Sequence, residues 1–590
     1  GAEDRIFRFD SVPAAQISQV VLNKTLLPNM PAEALAGRVN IETFSPLTLP
    51  GFHGSFDVGG GFVDMGDGPV KQYSGRLSWS NGTWGASLIG SHYSFEQHTD
   101  NSEPRFDDIG LSSQRWTKYV IERVTESFSG KIEYSPNDDH YISLSHLTTE
   151  FEDFEERNWY VFTYANAFSG TRDFETADLI GVPMTASFAY GIYTNGVQFN
   201  VLHGDHRVNN WDLSWDLAHA ATEFNNFYPS VGQQTSTSTS RPSIANTAFL
   251  PSMTVKVNAV AGGIPLHTLY DTTLANGQPA RGQQRTSLNQ MSLPESFASE
   301  STGRLETEAV TVKFDGSRDW DSFGAQATFS AGFQYDDRAQ ENDVTNLVRP
   351  NGTVAAGNRT GFPLETNGAL LGMPWDMRTL FGSTPYDQDM DRGFTGVHID
   401  TRRMVAGVLA LMDAARAANA AGTGNFAVYD IDPRLSNSVD ETVAAAYVMN
   451  RWKWDRHTLT AGVRVERTEI ESQGLALVGN TLTPLAFGTE ETNIFPSLHY
   501  GFDYSDSIKL RAAFITGAAR PSLEDMRATV TVNDTSETVS GGNPFLTPEK
   551  AYGVDLSAEW YFAPASLLAV SFFHREVDKV LFSSSQIIGD

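Results

Sequence analysis

Trp211-Asp212-Leu213-Ser214-Trp215-Asp216-Leu217 is apolar at every odd position and polar at every even one. A β-strand sends successive side chains to opposite faces, so this two-residue repeat describes a strand with one greasy and one wet side. The code returns on both sides of an Asn81-Gly82 hairpin turn, where Tyr73, Gly75, Leu77 and Trp79 alternate with Ser74, Arg76, Ser78 and Ser80. It returns again where Phe128, Gly130, Ile132 and Tyr134 alternate with Ser127, Ser129, Lys131 and Glu133. Further strands read at 310–314, 325–335, 443–449, 459–465, 498–504, 508–514, 552–562 and 568–572. About fourteen to sixteen are expected in all, each near the nine to eleven residues of a tilted membrane strand.

Composition agrees with that grammar. No apolar run in the 590 residues reaches the length of a spanning helix. The mean hydropathy of −0.29 looks like that of a soluble protein, but a transmembrane barrel hides its hydrophobicity in alternation. The 50 Gly, 37 Phe, 19 Tyr and 11 Trp suit a barrel with aromatic girdles. Zero cysteines exclude disulfides, Cys-ligated zinc, iron–sulfur clusters and thiol nucleophiles. A net charge of −29 argues against nucleic acid, whose phosphates are held by clustered Lys and Arg. The opening Gly-Ala-Glu-Asp lies in folded-looking sequence with no secretory leader, so the N-terminus reads as trimmed.

Two regions differ in texture. Residues 1–45 mix a short strand at 17–21, a Pro-bounded turn at 31–35 and a second strand at 39–43, and Pro46 and Pro50-Gly51 mark a linker. Residues 46–590 carry the barrel pattern. Their turns at 137–139, 505–506 and 563–564 are tight, whereas the connections at about 153–185, 225–300 and 337–437 are long. Short turns on one rim and long loops on the other are the asymmetry of outer-membrane barrels. Loops of that length hold elements of their own, and 404–420 reads as a packed helix whose flanking Arg402 and Arg403 and internal Asp413 and Arg416 forbid a membrane span.

Several ordered segments resemble the TonB-dependent outer-membrane receptors, whose N-terminal plug lodges inside a 22-stranded barrel. Asp4-Arg5-Ile6-Phe7, Phe9-Asp10-Ser11-Val12-Pro13 and the strand Val39-Asn40-Ile41-Glu42-Thr43 look like the second half of that plug, although Ala36-Gly37 stands where the family has a glycine pair. Glu441 to Tyr447 followed by Gly462-Val463-Arg464-Val465-Glu466-Arg467-Thr468 looks like one of its paired-strand signatures. Most specific is the order Arg511 to Phe514, Ala519-Arg520-Pro521-Ser522, Gly542-Asn543-Pro544-Phe545-Leu546-Thr547-Pro548-Glu549-Lys550, then Glu559-Trp560-Tyr561-Phe562. Pro521 ends strand pairing because it has no amide proton, and Pro544 and Pro548 stiffen the approach to the next strand. The resemblance implies an all-β membrane protein: a large antiparallel transmembrane β-barrel, residues 46–590, with a small α+β plug remnant, residues 1–45, in its lumen. It implies that the chain is an internal fragment lacking a signal peptide, TonB box, first half-plug and C-terminal strands.

The function so implied is active transport of a scarce nutrient, a glycan or a metal–siderophore complex, across the outer membrane of a Gram-negative bacterium. Its partners would be outer-membrane lipid, the TonB complex through the missing N-terminal segment, a small-molecule or oligosaccharide ligand and a surface lipoprotein. No covalent step and no catalytic residue is implied. Candidate ligand contacts are Trp159, Tyr160 and Tyr164 with Glu155, because aromatic faces stack on sugars and other flat groups; an interfacial girdle or loop packing is the more common role of such rings. Asp387, Asp389 and Asp391 have the spacing of a calcium loop, but Gly393 falls one place late and His398 stands at position twelve, so solvated loop carboxylates are the favoured reading, and a structural calcium in an outer loop is the one cofactor that competes with it. His203 and His206, three apart near a strand end, are a weaker metal pair. Two other classes compete: a passive porin or surface-binding barrel, against which residues 1–45 count, and a soluble β-rich glycan-active enzyme needing a carboxylate pair. Against the enzyme, no Gly-x-Ser-x-Gly elbow, His-Glu-x-x-His or phosphate loop occurs.

Overall fold

The computed structural model describes residues 16–33, 37–234, 244–258, 264–350, 361–381, 392–396, 399–478, 481–533 and 538–582. In chain order, β1 (Ile17–Asn23) and β2 (Arg38–Thr43) form a two-stranded antiparallel sheet. Then come β3 (Gly51–Val63), β4 (Gly68–Ser80), β5 (Trp84–Asp107), β6 (Gly110–Asn137), β7 (His140–Phe162), β8 (Ser169–Arg172), β9 (Thr176–Ile180), β10 (Met184–Val208) and β11 (Trp211–Gln234). They are followed by β12 (Ser252–Asn258), β13 (Ile264–Ala275), β14 (Gln278–Arg285), β15 (Ser296–Ser322), β16 (Ala325–Val348) and β17 (Phe362–Pro363). Helices α1 (Leu364–Leu370) and α2 (Thr401–Ala420) precede β18 (Val428–Ile431), β19 (Asn437–Trp454), β20 (His457–Val478), β21 (Thr481–Asp503), β22 (Ile508–Ala519), β23 (Val530–Asn533), β24 (Thr538–Gly541), β25 (Glu549–Ala563) and β26 (Ser566–Asp578).

The long strands β3 to β7, β10, β11, β15, β16, β19 to β22, β25 and β26 make an antiparallel barrel wall, each hydrogen-bonded to the next in that order from β3 to β26. Alternation sets its two faces. One register row runs Ile132, Leu144, Leu202, Leu217, Val312, Tyr335 across six neighbouring strands. Ile132, Leu144, Leu217 and Tyr335 of this row are exposed, as a lipid-facing belt demands. Trp211, Leu213 and Trp215 share that face and are half-buried between neighbouring strands. No helix among the described residues is long and apolar enough to cross a membrane.

The opposite face lines a bore, and residues 16–33 and 37–47 are tied to it. Gln16 Nε2 donates to Ser127 Oγ at 2.9 Å, His499 Nε2 donates to the Leu26 carbonyl at 3.0 Å, and Ala518 N donates to the Ala32 carbonyl at 2.9 Å. Ser45 Oγ and the Leu47 amide both donate to Glu133 Oε2, at 2.7 and 3.1 Å.

Tight turns join the strands at one rim. Between β15 and β16, Phe323 and Gly324 take φ of 53° and 73°, the mirror-image geometry that matches strand twist. A Cβ on Gly324 would meet nothing within 4 Å, so the penalty of Gly324→Ala is conformational alone. It is expected to cost about 1 kcal/mol, read as a lower midpoint in denaturant titration of the refolded barrel.

At the other rim the wall strands run further than the hydropathy pattern suggested. β7 continues to Phe162, β11 to Gln234 and β16 to Val348, because above the apolar belt the alternation persists with polar and aromatic residues on both faces. Beyond them, β14, β13, β12, β9 and β8 pair in that order as a separate sheet, and α2 falls where a loop helix was expected. Asp400 caps α2 by accepting from the Arg403 amide at 3.0 Å.

One hydrophobic core joins this outer layer to the wall. Trp116, Tyr160, Phe188, Val231, Ala298 and Leu347 all belong to it. Each has the parity of the lipid-facing residues of its own strand, on β6, β7, β10, β11, β15 and β16. The outer layer therefore packs against the same sheet face that meets lipid lower down, and the bore-side face of these extensions is left to other residues.

Candidate functional site

The bore-side face above the apolar belt carries a charged and aromatic wall. On β7 the odd residues face the bore, which puts Asp153, Glu155, Arg157 and Trp159 there. β6 contributes Arg115, Tyr119 and Arg123; β10 contributes Tyr193 and β11 contributes Tyr228. The Arg157 guanidinium lies 4.5 Å from the Tyr119 ring centroid and 5.3 Å from that of Tyr228, and its Nη2 donates to Glu155 at 3.0 Å. Arg115 lies 5.2 Å over Trp159, and Arg123 Nε donates to Asp153 at 2.9 Å. Gly191 makes room for this stacking, since a Cβ there would come within 2.5 Å of the Tyr228 ring. The Arg115 and Arg157 guanidiniums each have an aromatic ring over the flat side, while Arg157 and Arg123 turn an edge to a carboxylate.

Of the four sequence candidates, Glu155 and Trp159 belong to this wall. Tyr160 and Tyr164 do not: only 2% and 1% exposed, they sit in the outer-layer core. Adjacent residues on one strand point to opposite faces, so Trp159 and Tyr160 cannot share a surface. Tyr160 packs edge-on against Phe188 with centroids 5.8 Å apart. The Tyr164 hydroxyl donates to His267 Nε2 at 2.5 Å, and His267 Nδ1 lies 3.3 Å from the Arg392 carbonyl. Burial pushes the Tyr164 phenol well up and the His267 imidazole down to about 4, so both are neutral at pH 7. The residues missed from sequence, Arg115, Tyr119, Arg123, Arg157, Tyr193 and Tyr228, could have been found by counting parity outward from the turns after Asn137 and Val208.

His203 and His206 fall on opposite faces of β10. His203 is held by Asp216 at 2.7 Å and Asp205 at 3.0 Å, and His206 Nδ1 lies 3.2 Å from His140 Nδ1. Among the described residues no group of three or more His, Asp or Glu is arranged to hold a metal. Asp387, Asp389 and Asp391 lie outside the described residues.

A second constellation links residues 32–33 to the wall. Glu466, 3% exposed on the bore side of β20, accepts from Arg464 Nε at 2.6 Å, Arg520 Nη2 at 2.6 Å and the Ala32 amide at 3.1 Å. Arg520 Nη1 reaches on to Glu33 at 2.8 Å. Arg520 can do so because β22 ends at Ala519, just before Pro521 removes the next donor.

A wall of lipid-faced strands around a polar bore that holds an N-terminal segment defines a plugged transmembrane barrel. The family model for TonB dependent receptor-like β-barrels matches residues 260–590, more than half of the chain. The chain belongs to that family. Among solved structures it is similar to the siderophore receptor PiuA from Acinetobacter baumannii, with 11% identity, a TM-score of 0.49 and coverage of 95% of this chain and 62% of that one. It is similar also to the alcaligin outer-membrane receptor FauA from Bordetella pertussis, with 11% identity, a TM-score of 0.46 and coverage of 98% and 59%. A third is the ferric-catecholate import receptor Fiu from E. coli K12, with 10% identity, a TM-score of 0.49 and coverage of 95% and 63%. The chain spans about three fifths of the length of these structures. No curated protein sequence matches it.

Proposed function

We propose that this chain works in TonB-dependent uptake of a scarce ligand across the outer membrane of a Gram-negative bacterium, with the bore-side wall around Arg115, Arg157 and Trp159 as the capture surface. The observation that carries the reading is that Gln16, Leu26, Ala32 and Ser45 are hydrogen-bonded to the bore, an occupation of the lumen for which a passive porin has no use. Movement of this N-terminal segment, driven by TonB through chain that precedes it, would release the ligand inward, and a surface lipoprotein could cover the mouth. No bond is made or broken.

The wall also leans on the choice of ligand. Trp159, Tyr119 and Tyr228 each have a guanidinium over a ring face, so an incoming molecule meets covered rings rather than bare ones, with Arg115 as the cation of this wall that no carboxylate neutralises among the described residues. That favours a metal complex with anionic chelating oxygens over a neutral glycan, whose sugar rings need open aromatic faces. Tyr160 and Tyr164 then shape the strands behind the wall without touching the ligand.

Energised uptake by proteoliposomes or cells carrying the full-length protein tests the transport reading; steady ligand-independent conductance with the segment in place would favour the porin. Within it, Trp159→Ala is expected to weaken ligand binding about tenfold, near 1.4 kcal/mol, with Tyr160→Phe unchanged. Equal losses in both variants would remove Trp159 from the capture surface.

A further inference from the structure

The short-turn end of the bore holds a cavity of about 1220 Å³ between residues 24–27 and the wall strands β16, β19 to β22, β25 and β26. In a chain of net charge −29, its lining is cationic. Lys24, Arg451, Lys453, Lys509, Arg511 and Arg575 all border it, against Asp503, Asp555 and Glu559. Arg575 is paired with Asp555 at 2.6 Å and Arg511 approaches Glu559 at 3.5 Å. Lys24, Arg451, Lys453 and Lys509 make no ion pair among the described residues.

Parity explains the convergence. Arg451 and Lys453 are two residues apart on β19 and so face the bore together, with their Cα atoms about 7 Å apart. Lys509 comes from β22, three strands round the wall at about 4.8 Å per strand. Side chains of lysine length bridge most of that gap. The floor between them is Thr458, Thr460 and Gly501, and a Cβ at Gly501 would come no nearer than 3.9 Å to Thr458, so the floor is shallow and offers hydroxyl donors. Lys24 closes the cavity from the side of the N-terminal segment. Four like charges facing one chamber repel each other and focus a positive potential into it.

We infer that this chamber is a binding site for a small polyanion bearing carboxylate or phosphate groups, held between the N-terminal segment and the wall. It is separate from the capture wall and does not depend on what that wall binds. Such an anion would neutralise charges on both sides, so its binding and the seating of residues 24–27 are linked.

Citrate and pyrophosphate are the probes, titrated by calorimetry into the full-length protein in detergent or nanodiscs. Saturable binding of either is expected, weakening about tenfold or more between 0.05 and 0.5 M salt as screening sets in. Lys453→Glu combined with Lys509→Glu is expected to weaken it at least about tenfold, while Lys453→Arg combined with Lys509→Arg stays within about twofold. If the Glu pair fails to insert, Lys453→Gln with Lys509→Gln is read in the same way. No saturable binding, or equal binding by wild type and the charge-altered pair, overturns the inference. Retained anion binding without energised uptake would count against the transport function alone; uptake without anion binding would count against this site alone.

Discussion

Glu466→Ala is expected to unseat residues 26–33 and to make the barrel leaky. The carboxylate is the shared acceptor for Arg464, Arg520 and the Ala32 amide. Arg464 is 2% exposed and the Arg520 side chain 8%, so neither can recruit much water when the acceptor disappears. Removing one member of a buried ionic cluster costs about 3–5 kcal/mol, because the remaining charge is left desolvated and uncompensated. That exceeds the lone neutral hydrogen bonds made by Gln16 and by the Leu26 and Ala32 carbonyls, each worth about 1 kcal/mol; the Arg520–Glu33 pair belongs to the same cluster, and the Ser45 and Leu47 bonds to Glu133 hold a different stretch. In planar bilayers Glu466→Ala should conduct where the wild type is quiet, and the segment should become protease-sensitive. Glu466→Gln keeps an acceptor and should fall between. An alanine variant as silent and as resistant as wild type would show that residues 26–33 are held by something else.

The second large effect concerns acid. His267 is fully buried among Tyr164, Phe162, Trp116 and Phe394, with the Arg392 guanidinium also near, and its pKa falls to about 4 mainly through lost hydration. An unfolded histidine titrates near 6.5, so between pH 6.5 and 4 the unfolded layer takes up a proton that the folded layer refuses. Stability from this group is complete above about 6.5 and drains away as pH falls to about 4, by about 3 kcal/mol in total. The protection factors of amides in β9, β12 and β13, which correct for the intrinsic pH dependence of exchange, should therefore fall steeply over that window. His267→Gln, which does not titrate, should flatten the response; an unchanged slope in the variant would assign the acid sensitivity to carboxylates elsewhere.

The wall was legible in the sequence because its signal is local. From Trp211 to Leu217 each side chain announces its solvent, and the register row from Ile132 to Tyr335 repeats that announcement in six strands. Above the belt the signal fails. Trp159 and Tyr160 look equally exposed in the sequence, and only the layer covering one face separates them. That layer is itself non-local: Thr176–Ile180 pairs with Ser252–Asn258 across the whole of β10 and β11. Strands as short as Ser169–Arg172 carry too few residues for alternation to be read. The clustering of Glu33, Arg464, Glu466 and Arg520 was hidden for the same reason, although Arg520-Pro521 was marked as a break.

The mixed parentage of the outer sheet has a further consequence. Strand β9 arises from the connection between β7 and β10, and its partner β12 from the connection between β11 and β15. Neither connection can peel away without breaking the ladder that holds the other. The two behave as one foldon stapled across four staves of the barrel, and amides in both should open to exchange at a common rate rather than in sequence.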